Sequence, residues 1–248
     1  MTDTPAALDD LLKKHYPSAL TQLEFRELVR HTLADVHGLD ISKMLLATSV
    51  CADDVIAVRE EDTPSHKAKF KQDFLGPFGM GGLAGLPYSG LTGMTAIAHH
   101  VPDGGSLLLA YGPHIGISDQ GVLGKLLRPG QGHDSPACGA LTLAVEHLRA
   151  SPDHIGDYDD DDMEQTVLER RLKPFRDAIL AAENPLKAAT DVAYQIIHGL
   201  IRRYLAARKQ EFHCEHIALA GGIIINTSPD QDDYIDLRHL EVLNINEL

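Results

Sequence analysis

Apolar and polar positions change period along the chain, and the changes mark its elements. Residues 5–16 (PAALDDLLKKHY) carry their apolar positions on one helical face. Thr21-Gln22-Leu23-Glu24 fits a capping box, and Phe25, Leu28, Val29, Leu33 and Val36 follow at helical spacing until Gly38 stops the run. Lys43 to Val50 (KMLLATSV) and Ser106 to Tyr111 are short apolar runs that predict buried strands, and Ile217 to Asn226 (IALAGGIIIN) predicts a central one. Residues 233–243 read as a more polar edge strand. Helices are predicted over 63–75, with Thr63 as cap, from Cys138 to about Arg149, over 163–183, and from Asn184-Pro185 to about Arg208. Helices between buried strands predict an α/β fold with a mostly parallel sheet flanked by helices. The expected organisation is an N-terminal helical extension over 1–38 and an α/β domain over 39–248.

Two stretches resist this periodicity. Residues 76–93, GPFGMGGLAGLPYSGLTG, are dense in glycine but lack a Gly-Lys-Ser/Thr ending, and their G-x-G-x-x-A piece follows no predicted strand. They are read as a loop in which backbone packs closely on backbone rather than as a phosphate cradle. The acidic run Asp157 to Asp162 lacks the glycine and closing Glu of a calcium loop, so it is read as a solvated lead-in to the next helix.

Composition narrows the function. The formal charge of −14 argues against nucleic acid or an anionic membrane surface as partner. Three cysteines do not suggest a disulfide framework, so a reducing, cytoplasmic setting is expected. The acidic start MTDTPAALDD is expected not to be a signal peptide, and no apolar run approaches the roughly 18 residues of a membrane span.

The candidate chemistry lies at strand ends. Cys51 follows the first buried strand and His114 follows the second. Ser135-Pro136-Ala137-Cys138 is expected to open a helix, with Ser135 as N-cap and Cys138 in the first turn, where a thiolate is favoured. In a parallel sheet all three residues fall on the edge where ligands bind. Two thiolates and an imidazole suit zinc and leave a fourth position open for water. The same residues also read as two core cysteines and a loop histidine. Asp53 is placed to be a fourth ligand or an acceptor for the activated water, and Arg59 to hold it by a charge-assisted pair. His99-His100 is read as a core or interface pair, and His213-Cys214-x-His216 ranks as a lesser candidate set.

The chain resembles the limiting-CO2-inducible B/C protein family, whose fold is similar to β-type carbonic anhydrases and which is also grouped with a theta class. The resemblance runs over about residues 40–228. It rests on Cys51-Ala-Asp53-Asp54, GGLAGLPYSGLTG, His99-His100-Val-Pro-Asp, GPHIGIS around His114, RPGQ at 128–131, SPACGAL around Cys138, and LAGGIIIN at 219–226. It implies zinc held by Cys51, His114 and Cys138, reversible hydration of CO2 to bicarbonate, and a homodimer. β-type enzymes place an Arg two residues after the Asp; here position 55 is Val, and the nearest following arginine is Arg59. The resemblance also admits a catalytically weak zinc protein that acts as a CO2- or bicarbonate-responsive binding or assembly partner. Because two thiolates cancel the charge of zinc, its water is expected to be acidified less than at a neutral-ligand site. Asp53 is expected to accept the hydroxide's hydrogen when paired with Arg59 and to swing onto zinc when unpaired, so that activity rises with pH.

Overall fold

The structure is a computed structural model that describes residues 6–53, 55–56, 73–150, 153 and 155–247. The chain begins with α1 (Ala6–His15), β1 (Leu20–Thr21) and α2 (Gln22–Arg30), which runs on into a π-helical stretch over His31–Val36. Thr21 caps α2 in a full capping box with Glu24. β2 (Met44–Ser49), β3 (Leu75–Gly79), α3 (Gly90–His100), β4 (Ser106–Tyr111) and β5 (His114–Gly116) follow. A hairpin of β6 (Lys125–Leu127) and β7 (Asp134–Pro136) precedes α4 (Gly139–Ala150), α5 (Met163–Leu172), α6 (Arg176–Ala181) and α7 (Pro185–Arg208). The chain ends with β8 (His216–Asn226) and β9 (Tyr234–Asn244).

The sheet order is β1-β9-β8-β4-β2-β3, with β5 also paired to β8. All pairings from β8 across to β3 are parallel, and β9 runs antiparallel to β8. The predicted mostly parallel sheet flanked by helices is therefore the observed one. Side chains alternate across it as the strand period demands. In β2, Leu45 and Ala47 face α1 and the helices that follow β3, whereas Met44 and Leu46 face α2. The α2 face uses the small Ala218 and Ala220 on β8, which leaves room for Phe25, Val29 and Leu33. Burial of each of those three side chains contributes roughly 1.5–3 kcal/mol.

Two expectations change, and one falls largely outside the described residues. The glycine-rich stretch begins as an edge strand: Leu75–Gly79 pairs parallel to β2. The expected helix over 63–75 lies outside the described residues up to 72. The single helix expected over 163–183 is two, because Pro174 has no N–H to donate and its ring clashes with the preceding turn, so a 3₁₀ turn at Lys173–Phe175 separates α5 from α6.

The rest of the glycine stretch behaves as close-packed backbone. A Cβ on Gly81 would lie 2.3 Å from the Val50 carbonyl oxygen, just before Cys51. The space beside Gly82 holds the Glu164 carboxylate, which accepts the Leu83 N–H at 2.8 Å. Gly85 adopts φ +81°, its carbonyl accepts Ser49 Oγ–H at 2.8 Å, and a Cβ there would lie 2.4 Å from the Gly112 carbonyl oxygen. Gly85→Ala is expected to destabilise the fold by roughly 2–4 kcal/mol, the left-handed backbone and the overpacked contact together. The measurement is a lowered denaturation midpoint at constant slope. Because Gly112 leads directly into Pro113-His114, this contact also sets the approach to the site.

Candidate metal centre

Parallel pairing brings the candidate residues together. β2 and β4 are in register from Met44↔Ser106 to Ser49↔Tyr111, so Cys51 and His114 leave neighbouring strands at the same edge. His114 opens β5 rather than lying in a loop, paired opposite Ile224 of β8. Cys138 arrives from the hairpin. Asp134–Pro136 is strand, not the start of a helix, and α4 begins at Gly139. The reason is pairing: Ser135 sits opposite Leu126 in the β6–β7 ladder. Cys138 therefore flanks the helix N-terminus, its carbonyl accepting the Thr142 N–H at 3.0 Å.

The ligand atoms of Cys51, His114 and Cys138 lie within 4.8 Å of one another, and all three residues are buried. The two sulfurs are 3.8 Å apart, in free thiols. His114 is fully buried; its Nδ1 contacts Asn226 Oδ1 at 2.9 Å, while its Nε2 has no hydrogen-bond partner among the described residues. A buried nitrogen without a partner is unfavourable by itself. Beside two sulfurs, it completes a donor set that fits a metal ion. Among the described residues this is the group with such geometry; His213, Cys214 and His216 do not form one.

Without a metal the three groups share protons. The Cys51 thiol is driven well below its usual range, chiefly by the hydrogen bond from the Cys138 thiol and then by His114, against the effect of burial. Cys138 is pushed up by that same hydrogen bond and by burial, although the Leu141 and Ala140 N–H groups at the helix start oppose it. Burial disfavours the charged form of His114, but Cys51 and Asp53 outweigh it and the net shift is upward. A cation entering the site must displace these protons, so binding weakens as pH falls.

Asp53 stands beside the group, with Oδ2 3.7 Å from His114 Nε2. Its carboxylate is gripped by Arg128, whose Nη2 lies 3.0 Å from Oδ1 and 2.9 Å from Oδ2. Arg128 directly follows β6 and is itself anchored by donating to Ser135 Oγ and, at 3.0 Å, to the Pro136 carbonyl. Arg59 lies outside the described residues, and the guanidinium seen on Asp53 is that of Arg128. Local sequence pattern marks Arg128 only as part of RPGQ; its available signal is an arginine just after the strand that pairs with the approach to Cys138. His99 and His100 are both exposed on the protomer, so they are not core residues.

A model of the family described as limiting CO2-inducible proteins B/C, beta carbonic anhydrases, matches residues 19–244. The chain belongs to that family. Limiting CO2-inducible B/C proteins also stand among its structural matches. PtLCIB4, a homologue of the limiting CO2-inducible protein LCIB, is 31% identical, with 95% of each chain covered and a TM-score of 0.83. A histidine-to-alanine variant of PtLCIB4 is 30% identical over 96% of this chain and 95% of that one, with a TM-score of 0.84. LCIB itself shares the fold at 21% identity, covering 94% of this chain and 97% of that one, with a TM-score of 0.69. No curated protein sequence matches the chain significantly. As a carbonic-anhydrase-like protein it carries the group where open α/β sheets hold ligands, at the carboxyl ends of the strands. No helix among the described residues is long and apolar enough to cross a membrane.

Proposed function

We propose that this limiting CO2-inducible B/C protein binds zinc through Cys51, His114 and Cys138 and hydrates CO2 reversibly to bicarbonate. The observation that carries the reading is the orphaned His114 Nε2, buried beside two thiol sulfurs, with the Asp53 carboxylate 3.7 Å away. Soft sulfur and imidazole donors favour zinc over magnesium or calcium. Zinc in such a three-ligand site supplies a Lewis acid that makes a water nucleophilic near neutral pH, as the well-known carbonic anhydrase case illustrates.

The chain's own residues orient the reaction. Asp53 Oδ2, 3.7 Å from His114 Nε2, would accept a hydrogen bond from the attacking water and so orient it toward CO2. Arg128 keeps that carboxylate in place through two N–H contacts, and the β6–β7 hairpin keeps Arg128 in place through Ser135 and Pro136. A carboxylate engaged by Arg128 is less available as a permanent fourth ligand, which favours turnover over a closed, binding-only site.

The test is stopped-flow CO2 hydration on purified protein with its zinc content assayed. Stoichiometric zinc and turnover that increases from neutral to alkaline pH is the expected result. Zinc without turnover at any pH in that interval overturns the enzymatic reading, and absence of zinc overturns the metal assignment itself.

A further inference from the structure

We infer that Asn226 is a positioning residue for the metal centre, holding the His114 ring in the tautomer and orientation that present Nε2 to the metal. The inference rests on the reading that Cys51, His114 and Cys138 bind a metal.

The geometry starts from strand register. His114 pairs with Ile224, so Asn226, two residues further along β8, lies on the same face of the sheet and diagonally ahead of the imidazole. Asn226 is 2% exposed, and its Oδ1 is 2.9 Å from His114 Nδ1. An amide oxygen only accepts, so Nδ1 carries the proton and Nε2 carries the lone pair. If the amide were reversed, its N–H would donate to Nδ1, the proton would sit on Nε2, and the nitrogen beside the sulfurs could not ligate.

The backbone on both sides of Asn226 is tied down. Its carbonyl accepts the Ile117 N–H at 2.9 Å, and Gly116 pairs with it across the β5–β8 ladder. The next residue, Thr227, donates its N–H to Asp233 Oδ1 and its hydroxyl to the Asp232 carbonyl, each at 2.9 Å. The backbone that carries the amide is thus fixed before any metal arrives. The choice of an amide also has an electrostatic reason. Two thiol ligands and the Asp53 carboxylate already place negative charge around the site, and a neutral acceptor orients the imidazole without adding more.

The experiment measures zinc affinity by competition with a chromophoric chelator, on native protein and on Asn226→Leu, Asn226→Ala and Asn226→Asp. Circular dichroism and thermal melts check folding. Asn226→Leu keeps the volume and removes the acceptor; it is expected to weaken zinc binding by roughly 10–100-fold. Asn226→Ala gives a second acceptor-free variant if leucine lowers stability. Asn226→Asp restores an acceptor and is expected to bind zinc within a few-fold of native, a rescue that a mere packing role would not produce. In long-range proton–nitrogen spectra of the zinc-loaded proteins, native and Asn226→Asp should show the His114 Nδ1 proton hydrogen-bonded, a signal absent from Asn226→Leu. Native affinity in Asn226→Leu, or an Asn226→Asp protein as weak as Asn226→Leu, overturns the proposal. Failure of native protein to bind zinc overturns instead the metal reading beneath it.

Discussion

Cys138→Ser is expected to remove bound zinc and CO2 hydration together, while the protein stays folded. The serine hydroxyl is close in size to the thiol, and Cys138 is 1% exposed at a position where the backbone is held by the Thr142 N–H and the hairpin. Little packing is lost. What is lost is a ligand: a thiol deprotonates on a metal, whereas an aliphatic hydroxyl does so reluctantly and binds zinc weakly. Losing an outer partner of a ligand weakens metal binding by about 10–100-fold. Losing a ligand should exceed the top of that interval, and hydration should drop to the background of the uncatalysed reaction. Cys214→Ser is the matched control. Cys214 is also buried and free, but it is not part of the three-residue group, so this variant should keep zinc and turnover even if its melting point falls. The checks are zinc content after chelator dialysis, stopped-flow rates and circular dichroism. A Cys138→Ser protein that holds zinc and turns over at the native rate would show that the sulfur is a core atom and not a ligand.

The elements that could be read from the sequence are those whose signal is local. β2, β4 and β8 announce themselves as short apolar runs because both of their faces are covered. The helices at Thr21 and Asn184 announce themselves through side chains that satisfy the first free N–H groups, as Thr21 does with Glu24 and Asn184 with Lys187. Cys51 and His114 follow from strand ends once the sheet is parallel. What was missed is non-local. β3 is built on Gly76, Pro77 and Gly79, residues that disfavour strands, and it exists because β2 offers an open edge. The β6–β7 hairpin overrides a sound N-cap pattern at Ser135, because pairing with Leu126 satisfies the same backbone groups. Arg128 meets Asp53 across a wide sequence gap. No periodicity encodes that meeting, and the nearest arginine in sequence, Arg59, was the natural guess. Asn226 was visible only as the polar residue closing an apolar strand at the ligand edge.

Arg128→Ala is expected to reduce CO2 hydration by about a hundredfold or more, in the interval typical of a lost acid–base or orienting group, while zinc stays bound. Arg128 and Asp53 are each 13% exposed at the side chain, so their pair is shielded from solvent and stronger than a surface ion pair. Removing the guanidinium takes two donors from the carboxylate and also releases the hairpin contacts to Ser135 and Pro136. The carboxylate, 3.7 Å from His114 Nε2, then loses that restraint, and a zinc ion held by the three ligands would attract it. Arg128→Lys keeps the charge but loses the planar guanidinium that reaches Asp53 through Nη2 and Ser135 and Pro136 through Nη1, so an intermediate rate is expected. A double-mutant cycle separates orientation from closure. If Arg128 serves only to orient Asp53, Asp53→Ala and the Asp53→Ala/Arg128→Ala double variant should have equal rates, and Arg128→Ala should be no slower than either. If the released carboxylate closes the site by taking the open metal position, Arg128→Ala should be slower than the double variant, because deleting Asp53 reopens it. In cobalt-substituted protein the closed form should also show altered visible bands that revert in the double variant. Native turnover in Arg128→Ala would remove Arg128 from the mechanism and return the question of the Asp53 partner to residues outside the described set.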